Sequence, residues 1–365
     1  MEEASAEQPP TGVRRRYARA VRSGRFRAWS IVVGTWFVAL SALLLAGCSP
    51  SGASAASSGT VAYVATVAGL ADPGSTLTMV DTATSSSLGT ITTGSLPAAM
   101  AATPDGAHLL VANKGIDRLS EISTATGKAT GGAAVGLEPD AVAVTPDGSL
   151  ALVANFGDNT VTPVSLPSMK VGSPIPVGHQ PVAVAISPNG KLAVVANYQD
   201  GTITPIDLPA LTPLAPVPAG LEPDAVVISE DSTTALVADF ETSMVTPVDL
   251  SHMTTGTAIP VAGNPTGIAL WKSSTVAYVS GGDSVTPVDL VRLRAGGPLS
   301  VGTTAQGLAL ANHGRTAWVC GGNGTLVSLK LANGAIGGRV EVGGQPTAVV
   351  IPAPPTAGKP PDAGS

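Results

Sequence analysis

The sequence predicts an all-β fold, a seven-bladed β-propeller with four antiparallel strands in each blade. Three observations predict it. A proline recurs at a nearly constant step of 42 residues, each step contains four short apolar or alternating runs, and the two ends of the array carry complementary parts of one repeat. Helix signals are absent from the sequence after residue 50, where Val, Thr, Gly and Pro dominate.

The repeat is most visible where eight residues nearly recur. Leu137–Val144 reads LEPDAVAV, and Leu221–Ile228 reads LEPDAVVI. The marker positions of the array, with alanine in one copy, are Pro97, Pro139, Pro181, Pro223, Pro265, Ala305 and Pro346. The step is 42 residues four times, then 40 and 41. The chain is therefore a repeat array, and single residues must be interpreted within it.

The copy at 139–178 shows how one unit forms a blade. DAVAV is apolar throughout, as in a strand buried on both faces, and TPDG is a turn because Pro fixes φ while Gly accepts a positive φ. LALVAN is a second apolar run, and FGDN is a second turn. TVTPVSL alternates like a half-buried strand, and MKVGSPIPVG fits an outer strand that tolerates proline. Four short strands in about 42 residues are typical of a propeller blade.

The ends of the array predict a closed ring. Thr60–Val64 (TVAYV) is identical to Thr275–Val279, which is a second strand, and no first strand precedes it. Pro346–Ile351 is a first strand with nothing after it. We therefore expect the C-terminal strand to complete the N-terminal blade, which removes an exposed sheet edge. The alternative, an open solenoid, would not need complementary half-blades.

These repeats resemble the YVTN family of β-propeller repeats, found in YncE-like bacterial surface and periplasmic proteins. The resemblance covers residues 60–351. The matching four-residue segments are Tyr63–Thr66 (YVAT), Leu110–Asn113 and Leu152–Asn155 (LVAN), Val194–Asn197 (VVAN) and Tyr278–Gly281 (YVSG). The resemblance to this family implies the propeller fold and an extracytoplasmic location, and it says little about function.

The N-terminal region predicts export. Seven arginines between Arg14 and Arg27 precede an apolar stretch at Trp29–Ala46, and Leu45–Cys48 (LAGC) resembles a lipobox. We expect a signal peptide at 1–47, lipidation of Cys48, a flexible tether at 48–59, the propeller at 60–351 and a disordered Pro/Gly-rich tail at 352–365. The protein would be anchored outside the cytoplasmic membrane by its lipid alone. The alternative is a signal anchor in which residues 31–46 stay in the membrane.

Charge and cysteine content limit the partners. Removing residues 1–47 removes seven arginines and three glutamates, which leaves 12 basic and 22 acidic residues. A nucleic-acid surface is excluded because it needs clustered Lys and Arg. Cys320, in AWVCGG, is expected to be a buried apolar residue, and with Cys48 modified no disulfide is expected. We expect a monomer that binds a cell-envelope protein, a glycan or a small molecule.

Topology predicts which loops share a face of the ring. The loop before each first strand and the turn between the second and third strands lie on one side, around the central funnel, and the TPDG turns lie on the other. The candidate ligand-binding residues on the funnel side are Glu138, Asp140, His179, Gln180, Glu222, Asp224, Asn264 and Gln345. Structural roles stay open for some of them, because Asp140 and Asp224 would also suit capping of loop amides. Asn155 and its equivalents suit turns, and Phe156, Tyr198 and Phe240 suit packing between blades.

Signals for catalysis are few in the sequence. The four histidines form no metal-ligand spacing, and no GxSxG elbow is present. The sequence therefore favours a binding or scaffold protein with no cofactor. The alternative is a lactonase-type propeller hydrolase with a funnel metal such as Ca²⁺ and Glu138 and Glu222 as ligands or base. A cofactor-dependent propeller oxidoreductase fits less well, because it would need eight blades and an aromatic-rich cofactor stack.

Overall fold

The computed structural model describes residues 60–67, 75–271 and 275–353, and their secondary structure consists of 32 β-strands. The expected signal peptide, Cys48, the tether at 48–59 and the tail from residue 354 lie outside the described residues. Within the described ranges, no helix has the length and apolar character needed to cross a membrane.

Each blade begins with an inner strand, which hydrogen-bonds to an antiparallel second strand. The inner strands of blades 2 to 7, and then of blade 1, are β4 (Pro97–Ala102), β8 (Pro139–Val144), β13 (Pro181–Ile186), β18 (Pro223–Ile228), β23 (Pro265–Leu270), β28 (Ala305–Ala311) and β32 (Gln345–Val350). The second strands of blades 1 to 7 are β1 (Val61–Val67), β5 (His108–Asn113), β9 (Leu150–Asn155), β14 (Leu192–Asn197), β19 (Thr234–Asp239), β24 (Val276–Gly281) and β29 (Thr316–Gly321). Apolar runs such as LALVAN are buried along nearly their whole length, as the sequence predicts.

The third and outer strands complete the sheets. The third strands of blades 1 to 7 are β2 (Ser75–Asp81), β6 (Arg118–Ser123), β10 (Thr160–Ser165), β15 (Thr202–Asp207), β20 (Met244–Asp249), β25 (Ser284–Asp289) and β30 (Thr325–Lys330). The outer strands of blades 1, 2 and 7 are continuous: β3 (Ser86–Thr92), β7 (Ala129–Ala134) and β31 (Ala335–Glu341). In blades 3 to 6 the outer strand is two short pieces: β11 and β12 (Lys170–Val171, Ile175–Pro176), β16 and β17 (Thr212–Pro213, Val217–Pro218), β21 and β22 (Thr254–Thr255, Ile259–Pro260), and β26 and β27 (Arg294–Ala295, Leu299–Ser300).

The split outer strand was not predicted from the sequence, and it accompanies a proline in the third strand. Pro163, in the middle of β10, has no N–H to offer the outer strand, although its carbonyl accepts a hydrogen bond from the Gly172 amide at 2.8 Å. β11 and β12 pair with β10 on either side of this point. Blades 4, 5 and 6 carry Pro205, Pro247 and Pro287 at the same position. The third strands of the other blades contain no proline, and their outer strands are continuous.

The C-terminal strand closes the ring. β32 pairs antiparallel with β1, with Val64 opposite Val349 and Ala65 opposite Ala348, so one blade is built from both ends of the propeller. Its sheet order is β3-β2-β1-β32. This confirms the predicted seven-bladed closed ring and excludes an open solenoid.

The hydrophobic core lies between neighbouring blades. Seven buried clusters occur, and each joins two adjacent blades. At the closing interface Trp318 and Cys320 of blade 7 pack with Val64 and Val349 of blade 1. Burial raises the pKa of the Cys320 thiol to about 12, which agrees with the predicted role as a buried apolar residue.

Candidate functional site

The residue before the repeated proline has a constrained backbone. Glu138 and Glu222 have φ of 51° and 52°, and Leu96 and Gln180 at the equivalent position are also left-handed. Their carbonyls accept hydrogen bonds from the residue that follows each second strand, for example Phe156 N–H to Glu138 O at 3.0 Å. These loops are therefore held by the backbone, and their side chains project from a fixed frame. We call each loop before an inner strand a leading loop.

Carboxylates of the turns between second and third strands cap the leading loops. Asp158 accepts the Leu137 amide at 2.7 Å, and Asp200 accepts the His179 amide at the same distance. Asp117, from the preceding blade, accepts the Glu138 amide at 2.8 Å. None of these three aspartates was among the residues predicted for the site. The available signal was an aspartate in each of the turns KGID, FGDN and YQDG, at the fourth position in the first turn and at the third position in the other two.

His179 and Gln180 are held within the same scheme. His179 is exposed, and its Nδ1 lies 2.9 Å from Asp200 Oδ1. The Gln180 backbone amide donates to Asn159 Oδ1 at 2.9 Å, across the boundary between blades 3 and 4. Both residues lie on the funnel side, and these hydrogen bonds hold the loop.

Asp140 is bound at the boundary between blades 2 and 3. Its side chain is only 7% exposed, and its Oδ1 lies 3.2 Å from Lys114 Nζ. The same ammonium lies 4.3 Å from the centroid of the Phe156 ring. An aromatic face and a carboxylate together stabilise a cation that is partly withdrawn from water. Lys114 was not among the candidates, because no local pattern links it to Asp140.

Glu222 and Asp224 lie at the boundary between blades 4 and 5. The Tyr198 hydroxyl donates to Glu222 Oε2 at 2.6 Å, and Asp224 is buried at the start of β18. The remaining two candidates lie elsewhere on the ring: Asn264 donates through Nδ2 to the Phe240 carbonyl at 2.8 Å, and Gln345 is an exposed residue opposite Val67. The candidates are thus distributed over five blades.

A row of buried polar residues ends the second strands. Asn155 donates through Nδ2 to Thr160 and Thr162, and Asn197 donates in the same way to Thr202 and Thr204. These asparagines are strand residues with buried side chains. Their structural role is as expected, but it comes from hydrogen bonds to threonines and not from a turn conformation.

Blade 5 has an aspartate at this position. Asp239 is 1% exposed, and its Oδ2 accepts the Thr246 hydroxyl at 2.5 Å. Its Oδ1 has no hydrogen-bond partner within the part of the chain that the structure describes. Removal from water raises the pKa of Asp239 to about 7, and the Thr246 hydrogen bond opposes this only in part.

The two faces of the ring differ in charge. The described leading loops and second-to-third turns hold one lysine, Lys114, and these carboxylates: Asp117, Glu138, Asp158, Asp200, Glu222, Glu241 and Asp283. The described turns of the opposite face hold a balanced set: Asp105, Asp147, Glu230, Asp231, Lys128, Lys191, Arg292 and Arg315. The funnel face is therefore acidic, and the opposite face is not.

The acidic residues of the described ranges do not form a metal-binding cluster. Among the described residues, no group of three or more His, Cys, Asp or Glu side chains is placed to hold a metal ion. Glu138 and Glu222, the ligands expected for a hydrolase, belong to blades 3 and 5, and Glu222 is hydrogen-bonded to Tyr198.

Comparisons with solved structures support the fold. A functionally unknown protein from Desulfotomaculum acetoxidans aligns with a TM-score of 0.71 and 17% identity over 81% of this chain and 99% of that one. Hydrazine synthase of Kuenenia stuttgartiensis aligns with a TM-score of 0.62 and 19% identity, over 69% of this chain and 88% of that one. The dihydro-heme d1 dehydrogenase NirN in complex with DHE aligns with a TM-score of 0.59 and 14% identity, over 83% of this chain and 78% of that one. No family model and no curated protein matches the chain. At these identities the likeness shows the β-propeller fold alone.

Proposed function

We propose that the protein is a non-enzymatic binding module, anchored at the cell envelope through its N-terminal region, whose funnel face binds a cationic segment of a partner protein. The observation that carries this proposal is the charge difference between the two faces. A surface with one sign of charge attracts an oppositely charged partner over several ångströms and favours one docking orientation.

Part of the acidic surface is available to a partner. Glu138, Glu241 and Asp283 are exposed, and their carboxylates make no ion pair within the described ranges. Exposed apolar side chains lie beside them, with Leu137 40% and Leu221 56% exposed in two leading loops. A basic segment with interspersed apolar residues would match both features.

The test is binding of a fluorescent lysine-glycine peptide to the full-length protein at about 50 and 300 mM salt. Binding that weakens with salt is expected, because exposed charges are screened. Glu138→Gln/Glu241→Gln should weaken binding at low salt. The matched control, Asp207→Asn/Glu230→Gln, removes two charges on the opposite side and should leave binding unchanged. Equal loss in both variants, or no binding to the wild type, would overturn the proposal.

A further inference from the structure

Both ends of the described propeller lie on the face opposite to the funnel. Thr60 precedes β1, and its carbonyl accepts the Thr82 amide at 3.0 Å in the turn between β2 and β3. β32, which is antiparallel to β1, ends at Val350 on the same side. Residues 1–59, which include the expected signal peptide and Cys48, are therefore joined to the ring at this face, in the blade next to blade 7.

The turn between the third and outer strands departs from the repeat in blade 6. In blades 3, 4 and 5 this turn reads LPSMK, LPALT and LSHMT, and in blade 6 it reads LVRLR, from Leu290 to Arg294. Val291 replaces a proline or a serine, and it is 73% exposed. Arg292 and Arg294 are also exposed. Blade 6 thus brings exposed apolar surface and two arginines to the face where the chain ends lie.

Leu293, in the same turn, combines a strained backbone with exposure. Its φ is 49°, in the left-handed region that L side chains disfavour, and it is 48% exposed. The equivalent Met169, Leu211 and Met253 are also left-handed, but they pack against the cores between neighbouring blades. In blade 6 the backbone cost remains while the apolar side chain stays in water, which favours a contact outside the ring.

Trp271 is a second departure from the repeat. It stands where blades 2 to 5 have hydroxyl residues that hold the turn after the inner strand: Thr103, Thr145, Ser187 and Ser229. Trp271 is half-buried and packs edge-on against His313 of blade 7, with ring centroids 6.0 Å apart. The Leu290 amide donates to the Thr275 carbonyl at 2.8 Å, which ties the LVRLR turn to a residue four positions after Trp271. The tryptophan and this turn therefore share one end of blade 6.

Charge is distributed unevenly over the opposite face. Within the described ranges, blades 6 and 7 place Arg292, Arg294, Arg315 and Lys330 there with one carboxylate, Asp289, which is paired with Arg292 at 2.7 Å. Blades 2 to 5 place both signs there: Asp105, Asp147, Asp207, Glu230, Asp231, Asp249, Lys128, Lys170 and Lys191. We call the surface formed by Trp271, Val291, Arg292, Leu293, Arg294 and Arg315 the basal patch.

We propose that the basal patch docks on the surface of an anionic phospholipid bilayer, with the acidic funnel face turned away from it. Exposed arginines are attracted to anionic headgroups, and valine, leucine and tryptophan side chains enter the boundary between headgroups and acyl chains. Attachment through residues 1–59, on the same side of the ring, brings the patch to the bilayer. The inference rests on the anchoring part of the proposed function and adds a second contact to the expected lipid anchor, because a basic patch strengthens membrane binding.

The experiment reconstitutes the full-length protein into vesicles of phosphatidylcholine with about 30% phosphatidylglycerol, or of phosphatidylcholine alone, and follows hydrogen–deuterium exchange by mass spectrometry. We expect the amides of residues 290–294 to exchange about fivefold more slowly with the anionic vesicles than with the neutral ones. Added salt should reduce this difference, because it screens exposed charges. Peptides from the funnel-side turns should exchange equally with both kinds of vesicle.

Two double variants test the charge of the basal patch. Arg294→Gln/Arg315→Gln should remove most of the protection, because it removes two exposed positive charges from the patch. The matched control, Lys170→Gln/Lys191→Gln, removes two exposed charges from blades 3 and 4 of the same face and should leave the protection unchanged.

A single variant tests the apolar contact without damage to the fold. Asparagine suits a left-handed backbone better than leucine, so Leu293→Asn should fold at least as stably as the wild type. It removes apolar surface that would leave water on docking, and the protection should fall about threefold. Unchanged protection in this variant would contradict an apolar contact with the bilayer.

The outcomes separate the basal patch from the anchor and from the funnel face. Equal protection with anionic and neutral vesicles, or equal loss in both double variants, would overturn the basal patch while the anchoring stands. Equally slow exchange of residues 290–294 without vesicles, at high protein concentration, would overturn it in favour of a second copy of the chain. Failure of the chain to associate with any vesicle would contradict the anchoring as well, whereas binding at the funnel face is tested separately by the lysine-glycine peptide.

Discussion

Blades 3 and 5 share the LEPDAV motif, and two differences, one within the blades and one in their neighbours, change the polar groups around it. Both carry LEPDAV at the inner strand, the same left-handed glutamate and a phenylalanine after the second strand. The second strand ends in Asn155 in blade 3 and in Asp239 in blade 5. The neighbouring blade contributes Lys114 in one case and Tyr198 in the other.

The difference shows that the repeat fixes a backbone frame and leaves the charges free to vary. An amide and a carboxyl group have nearly the same shape, so Asp239 occupies the place of an asparagine without a change in the sheet. The electrostatic consequence is large, because a carboxylate withdrawn from water costs far more than an amide that donates to threonine. Each of the following predictions compares the two blades.

The largest expected effect concerns their shared apolar frame. Leu152 and Leu236 are both fully buried in equivalent second strands, and each belongs to a core between two blades. Leu152→Ala and Leu236→Ala should each lower the free energy of unfolding by about 2–5 kcal/mol, because each leaves a cavity. Denaturant unfolding measures both. A loss in one blade only would show that the two frames are not equivalent.

The second effect depends on pH. The folded state raises the pKa of Asp239 from 3.8 to about 7, so between these values the folded chain holds a proton that the unfolded chain releases. The free energy of unfolding should therefore fall as pH rises from about 4 to about 7, by on the order of 2–4 kcal/mol. Asp239→Asn should remove this decline, because the amide can donate to Thr246 as Asn197 donates to Thr204. Unfolding curves at pH 4.5, 6 and 8 give the comparison.

The reciprocal change in blade 3 is the control for this effect. Asn155→Asp places a carboxyl group in the equivalent buried position and should introduce a decline over a similar pH range. Asp105, Asp147 and Asp231 affect the free energy of unfolding over a lower pH range. Hydrogen bonds from neighbouring hydroxyls and amides lower their pKa below 3.8. Their contribution to stability is lost only as pH falls below that value. An identical pH profile in wild type and Asp239→Asn would contradict the role of Asp239.

The smallest effect concerns the two residues supplied by the neighbouring blades. Lys114→Met leaves the buried Asp140 without this ammonium and should lower the free energy of unfolding by about 1–2 kcal/mol. Tyr198→Phe keeps the ring and removes one hydrogen bond to a partly exposed carboxylate, so the loss should be under about 1 kcal/mol. Thermal unfolding of both variants shows which loses more stability. A larger loss in Tyr198→Phe than in Lys114→Met would mean that Tyr198 stabilises its blade boundary more than Lys114 does.

Much of the architecture could be predicted from the sequence. The 42-residue step predicted the division into blades, and the half-blades at the two ends predicted that β32 pairs with β1 and closes the ring. The split outer strand in blades 3 to 6 was missed, although Pro163 and its three equivalents were visible. Proline was expected to be tolerated in the outer strand, and nothing was predicted for a proline in the third strand. The effect of that proline on the outer strand can be predicted only when the pairing register is known.

The candidate site was predicted less completely. Topology placed Glu138 and Glu222 on the funnel side, but it selected neither Lys114 nor the capping residues Asp117, Asp158 and Asp200. These contacts cross a blade boundary or join a turn to a loop about 20 residues away, and no local pattern encodes them. The repeat itself gave the spacing from which such pairs could have been sought.

The sequence by itself determined the number of blades, the ends that meet and the loops that share a face, because strand periodicity and turn chemistry are local and repeat at a fixed step. Only the tertiary structure decided which partner each carboxylate takes and how far each is withdrawn from water. Partner choice depends on side chains that meet across blades, and the cost of a buried charge depends on everything packed around it. The same EPD motif therefore sits beside a lysine in one blade and beside a tyrosine in another.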